Sequence, residues 1–538
     1  MRIMKPVLYT LLVAITLTSC KTISTIAVPK GSEVTIAAVE KKSALTETEK
    51  KSWGHADLVQ DSIPGMSVNK AYQFLEGKKG IQVIVAVVDS GTDLEHEDLK
   101  GVAWVNPNEI AGNGIDDDKN GFIDDVNGWN FLGKIYKENA ELYRIVKGPK
   151  LADEKTYKRA KEAYDKKVKE ATSNKQRYGQ ILQAVTFANT SIAKKLNKKK
   201  YKKEDLSSID ASDPEMAKSV AIANQMFDLG LSSLQEAIDE LTDLVSNADD
   251  LLKGDALKKE YRSVLNDDEN SMSTKIYGDN KSGHSSKDES HGTHVSGIVA
   301  ATRNNGIGMN GVATNVKIMA VRVVPDGDEY DKDVALGIRY AVDNGAKVIN
   351  TSFGKGYSPK VQWVYEAIKY AAEKDVLIVN AAGNDSKDID KQVSYPNDTP
   401  DMVNEISDNF ITIGAISSNY NENMPAGFTN YGKINVDIFA PGVKVYSTTP
   451  EGEYAYKGGT SMASPGVAGV AALIRSYYPK LTASQVKRIL MNSGTKIDLE
   501  VIRPGSGSRE NPKGVKVPFA DLSVTGRIVN AYNALKMA

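Results

Sequence analysis

Apolar and polar positions fall into three regimes along the chain. Residues 83–88 form an unbroken apolar run within IQVIVAVVDSGTD, closed by Asp-Ser-Gly. So short a run, ended by turn formers, predicts a strand buried on both faces. Beyond residue 291, strand-like runs at 316–324, 346–350, 376–380 and 409–416 alternate with helical stretches at 292–301, 333–344, 360–373, 461–477 and 482–493. Strands alternating with helices predict an α/β fold with a mostly parallel central sheet flanked by helices.

Residues 134–274 have another character. Glycine becomes rare and lysine abundant. Tyr157, Ala160, Tyr164, Val168 and Ala171 recur at helical spacing, as do Leu234, Ile238, Leu241 and Val245. Each set marks one face of a helix, so the segment reads as an inserted α-helical hairpin or bundle. Its charge is divided: residues 134–203 carry 21 basic and 7 acidic side chains, residues 204–280 carry 6 and 18. A basic arm packed beside an acidic one accounts for this better than a nucleic-acid site, because the neutralising acid lies in the same insert and no aromatic-interleaved motif accompanies the lysines.

The third regime is the N-terminus. Arg2 and Lys5 precede an apolar run from about residue 7 to 17, too short to span a bilayer. It ends in Leu17-Thr18-Ser19-Cys20, which resembles the lipobox of a bacterial lipoprotein signal. Residues 1–20 are thus expected to be a lipoprotein signal peptide, with Cys20 the lipidation site. Polar residues 21–52 read as a tether. The expected location is an exported, membrane-anchored one, facing the periplasm or the cell surface. Composition adds exclusions. The 68 basic and 69 acidic side chains nearly cancel, so no global charge recruits nucleic acid. The single cysteine rules out a disulfide framework, and only five histidines are available for chemistry.

Three motifs carry the candidate chemistry: Val87-Val88-Asp89-Ser90-Gly91, then His291-Gly292-Thr293-His294-Val295-Ser296-Gly297, then Gly459-Thr460-Ser461-Met462-Ala463-Ser464-Pro465. Taken singly each has a plainer reading: a loop-starting acid, a two-histidine metal site, a small-residue turn packed against its neighbours. Together, Asp, His and Ser in that order resemble the signatures of the subtilisin-like serine proteases (subtilases, peptidase family S8). Asn380-Ala381-Ala382-Gly383-Asn384 resembles the oxyanion-hole segment of that family, and Val348-Ile349-Asn350-Thr351-Ser352-Phe353-Gly354 its substrate-pairing strand.

The resemblance covers residues 53–133 and 275–538, leaving the helical insertion at 134–274 outside it. It implies the three-layer subtilisin-like fold and a serine endopeptidase acting on polypeptides, with no cofactor required for the chemistry. Ser461 would be the nucleophile, His291 the general base and Asp89 its orienting acid, with Asn384 donating to the oxyanion. His294, one turn further along, would be a packing residue. Substrate would add as a strand along Ser352, Phe353 and Gly354, with residues 326–330 opposite. Asp385 and Ser394 would border a narrowed, acid-tinged pocket for the residue before the scissile bond. Separately, Asp116, Asp118, Asn120 and Asp124 in a D-x-D-x-N-G-x-x-D loop offer hard oxygen donors, which predicts a structural Ca²⁺ against the plainer reading of a solvated acidic turn.

Overall fold

In the computed structural model, the described residues are 39–148, 152–228, 231–253, 260–507 and 511–538. Cys20, the signal segment and the first part of the expected tether lie outside them. Among the described residues no helix is long and apolar enough to cross a membrane.

Nine described strands form one sheet: β1 (Val83–Asp89), β2 (Gly128–Asn130), β3 (Val316–Arg322), β4 (Val348–Thr351), β5 (Leu377–Ala381), β6 (Phe410–Ile416) and β7 (Ile438–Pro441), extended at one edge by Thr495–Lys496 and Arg527–Ile528. From β2 to β7 the order is β2-β3-β1-β4-β5-β6-β7, and every pairing between these strands is parallel. The apolar run of β1 is explained by its two faces. Val83, Val85 and Val87 enter a cluster with the helices His291–Ala300 and Thr460–Tyr477, while Ala86 and Val88 enter another with Asp331–Asp343 and Val361–Glu373. With alternate side chains buried on opposite faces, no polar position remains. The expected helices recur within a residue or two. Thr482 caps the last of them with a reciprocal capping box to Gln485.

The insertion is helical, as its periodicity indicated. Glu141–Lys147 leads into a 43-residue helix, Glu154–Leu196, capped by Asp153 and closed at Asn197 in the left-handed region (φ 50°). At 1.5 Å per residue that helix is about 65 Å long. Pro214–Asp228 and Leu234–Lys253 pack along its distal half through Val185, Ala188, Ile192, Ala223, Leu234 and Ala237. Its proximal half buries Ala160 against Leu142 and Ile145. Lys175 pairs with Asp249, so the basic and acidic arms do lie side by side.

The flanks of the insertion differ from the expected boundaries. Ile135 is buried, and the returning chain sends Arg262 and Tyr277 into the core beside Asp333. The free-standing arm is therefore narrower than 134–274, and residues 260–277 pack with the sheet layers. The end of the expected tether is likewise docked. Thr46 caps Glu47–Ser52, Leu45 packs against the cluster around Trp53 and Ile63, and the Lys51 ammonium sits 4.7 Å from the Tyr446 ring centre.

Candidate active site

The carboxyl ends of β1 and β4, the amino ends of two helices and the loop after β5 converge on one cleft. Asp89 is the last residue of β1 and fully buried. One oxygen, Oδ1, accepts the Ser90 N–H and lies 2.7 Å from His291 Nδ1. That bond assigns the proton to Nδ1 and leaves Nε2 as the basic nitrogen. His291 opens its helix, with a side chain 37% exposed toward the cleft. His294 sits one turn on, buried, with Nε2 3.0 Å from the Ala455 carbonyl. Burial pushes its imidazole down to about 3, so it is a neutral packing residue and the two histidines do not share a ligand.

Ser461 lies in the first turn of Thr460–Tyr477 and is tied to Ser352 twice. Its hydroxyl donates to the Ser352 carbonyl (2.9 Å), and the Ser352 hydroxyl donates to the Ser461 carbonyl (2.9 Å). The second bond has a sequence cause. Pro465 has no N–H to give the carbonyl four residues before it, and Ser352 supplies the missing donor. Asn350 donates to the Ser352 hydroxyl and accepts from Ser464, completing the support. His291 and Ser461 form no hydrogen bond in this arrangement. Rotating the Ser461 hydroxyl off Ser352 moves it between staggered wells.

Asn384 is oriented by Thr460. Its Oδ1 accepts from the Thr460 N–H (2.8 Å) and from the Thr460 hydroxyl (3.0 Å), which turns the Nδ2 donor outward. A methyl group placed on Gly459 would stand 3.4 Å from that Nδ2 and 3.6 Å from the Ser461 nitrogen. Two donors thus flank one empty cradle at the mouth of a helix, suited to an oxygen gaining negative charge. Thr460 as the positioning residue for Asn384 escaped the sequence reading. Its place beside Ser461 was visible, but not the loop it would meet.

Along the expected substrate edge, Ser352 and Phe353 are buried and Gly354 is exposed. The backbone of Lys355 pairs antiparallel with Tyr395. A methyl group placed on Gly354 would stand 4.0 Å from the Ser394 hydroxyl, and one placed on Gly383 would stand 3.8 Å from it, so that hydroxyl lies between the two backbone walls. The Ser394 hydroxyl stands at the slot between them. Asp385 is turned to solvent and a cation. Its carboxylate is 60% exposed and pairs with Lys387 at 3.3 Å.

The acidic loop is also rearranged relative to expectation. Asp124 spends both oxygens on the N–H groups of Gly112, Asn113 and Gly114, and Asp116 accepts from the N–H groups of Asn120 and Gly121. Asn120 directs its amide at Asp118 and Asp125. Of the four expected ligands, only Asp118 joins the converging set, Glu109, Asp118 and Asp125, whose carboxylate oxygens lie within 4.8 Å of one another. Burial pushes the Asp125 carboxyl up to about 6. Glu109, like Asp124, accepts from backbone N–H groups, those of Asp117, Asp118 and Asp124, so a hard divalent cation at this crowded set would share its oxygens with them.

The chain is similar to known proteins. A family model described as "Subtilase family" matches residues 80–508. Subtilisin DY of Bacillus licheniformis is 41% identical over 209 residues, covering 38% of this chain and 71% of that protein. Thermitase of Thermoactinomyces vulgaris is 38% identical over 208 residues, covering 38% and 68%. The cell wall-associated protease of Bacillus subtilis (strain 168) is 39% identical over 219 residues, covering 40% of this chain and only 22% of that protein. Among solved structures, a protease of Pseudoalteromonas arctica PAMC 21717 matches at 30% identity and a TM-score of 0.36, covering 46% of this chain and 70% of that one.

Proposed function

Because the chain belongs to the subtilase family, we propose that it is a serine endopeptidase whose acyl-enzyme forms on Ser461. The observation that carries this reading is the 2.7 Å bond from His291 Nδ1 to buried Asp89, at a cleft that also holds Ser461 and two oxyanion donors.

The Ser461 hydroxyl leaves the Ser352 carbonyl and attacks the scissile carbonyl carbon while His291 Nε2 takes its proton. Asp89 stays ionised and stabilises the imidazolium. The carbonyl oxygen, now negative, accepts from Asn384 Nδ2 and the Ser461 N–H. Collapse breaks the C–N bond, with the proton passing from Nε2 to the departing amine. A water then repeats the sequence on the ester and frees Ser461. A fluorophosphonate probe tests the assignment. Labelling must occur at Ser461 and vanish in Ser461→Ala and His291→Ala; an unlabelled wild-type protein would mean a binding protein on an inactive protease scaffold.

Two further parts belong to this reading. Cys20 carries lipid that anchors the protein to a bacterial membrane, motivated by the basic, apolar and small-residue order that ends at that cysteine. Cys20→Ala should move the protein from the membrane fraction to the soluble one; retention at the membrane would refute lipidation. A Ca²⁺ ion held by Glu109, Asp118 and Asp125 is structural and takes no part in bond cleavage.

A further inference from the structure

The insertion is fastened to both rims of the cleft. On one rim, the Asp326 N–H donates to the Tyr136 carbonyl (2.7 Å) and the Glu138 N–H to the Asp326 carbonyl (2.9 Å), while the Glu141 N–H donates to the Asp328 carboxylate (2.7 Å). On the other, the buried Lys355 ammonium lies 2.7 Å from the Glu141 carboxylate. Ala160, fully buried beside Leu142, Ile145 and Tyr357, seats the first turns of the long helix on this joint. One consequence falls on Arg159. Its guanidinium donates to the Gly356 carbonyl (3.0 Å) and stacks 4.5 Å from the Tyr357 ring centre. The side chain is exposed, and no carboxylate pairs with it among the described residues.

The direction of the chain says what Arg159 meets. Ser352 touches Ser461, and the segment runs from there through Gly354 to Gly356, away from the nucleophile. Gly354 makes no main-chain hydrogen bond among the described residues. An antiparallel substrate strand places the residue before the scissile bond at Ser352 and the third residue before it at Gly354. Two residues further on, that strand reaches Gly356, whose carbonyl Arg159 already occupies.

We propose that the insertion closes the acyl side of the cleft and that Arg159 forms its terminal subsite, selecting an acidic side chain four or five residues before the scissile bond. This rests on the peptidase reading above. Fluorogenic peptides that differ only in Glu or Lys at the fifth position, with a second pair varied at the fourth, test it by the ratio of kcat/KM values. The wild-type enzyme should favour Glu by about two- to fivefold, the size of one exposed ion pair, and less at high salt. Arg159→Lys should keep the preference and Arg159→Glu should reverse it. Because the readout is a ratio, a general loss of activity in a variant cancels. Equal Glu and Lys rates in an active, fluorophosphonate-labelled wild-type enzyme, or a ratio unmoved by Arg159→Glu, would overturn the subsite alone. A wild-type protein neither active nor labelled would overturn the peptidase reading beneath it.

Discussion

Glu141 is the buried carboxylate through which the insertion grips Lys355 in the protease cleft, and removing it has a calculable cost. Its carboxylate accepts from Arg144 (2.6 Å) and lies 2.7 Å from Lys355, both cations being almost wholly buried. Glu141→Ala leaves Lys355 with Asp331 at 2.8 Å and the Glu329 carbonyl at 2.6 Å, and Arg144 with carbonyls of Asn139, Asp328 and Glu329. Breaking a buried ion pair from one side costs about 3–5 kcal/mol. Because Asp331 stays beside Lys355, the lower end applies, roughly 3 kcal/mol. The assay is urea unfolding on a Ser461→Ala background, which prevents self-digestion, read as a fall in midpoint at constant m. The pH dependence supplies a second check. Burial alone would raise the Glu141 carboxyl, but Lys355 and Arg144 hold it below the usual carboxylate range. A group depressed in the folded state stabilises above its unfolded pKa and loses that contribution as pH falls through the folded one. The gap between wild type and Glu141→Gln should therefore be full near pH 7 and shrink below about pH 4.5. A cost under about 1 kcal/mol at pH 7, or a gap that ignores pH, would refute the role of this joint.

Four other outcomes are expected. Asn384→Ala should lower kcat roughly 10- to 150-fold with little change in KM, since a hydrogen bond to a charged group contributes about 1.5–3 kcal/mol and the oxyanion exists only in the transition state; an effect confined to KM would contradict this. Burial pushes the Asp398 carboxyl up to about 8, and its Oδ2 has no partner among the described residues, so stability should fall as pH rises from about 4 to 8. Asp398→Asn should flatten that slope in urea titrations. Chelation should lower Tm if Glu109, Asp118 and Asp125 hold calcium, because an ion bound only to the native state stabilises by mass action; equal Tm in EDTA and in millimolar calcium would remove the site. Replacing residues 176–248 by a short Gly/Ser linker rejoins the arm where Lys175 faces Asp249 and spares Arg159 and Glu141, so the Glu-to-Lys substrate ratio should be retained.

Order and local pattern were legible in the chain. The continuous run at β1 identified a two-face-buried strand because every alternate side chain has an apolar layer to enter. Asp89, His291, Asn384 and Ser461 could be named from the chain because each stands in a short frame that resembles a subtilase signature. The helical faces of the insertion followed from their spacing. What the chain alone did not determine were choices among partners distant in sequence. Asp124 could face a cation or backbone N–H groups, and the fold of residues 112–114 gave it three of the latter. That Asp385 meets Lys387 in solvent was likewise not determined by the chain alone. Most of all, the periodicity of residues 154–196 describes a helix equally well anywhere in space. Contacts between residues distant in sequence, the buried Glu141–Lys355 ion pair across 214 residues and the Arg159–Gly356 hydrogen bond across 197 among them, hold that helix at the end of the cleft. Secondary structure is specified by neighbours along the chain, whereas the location of an insertion is specified by the few long-range contacts that hold it.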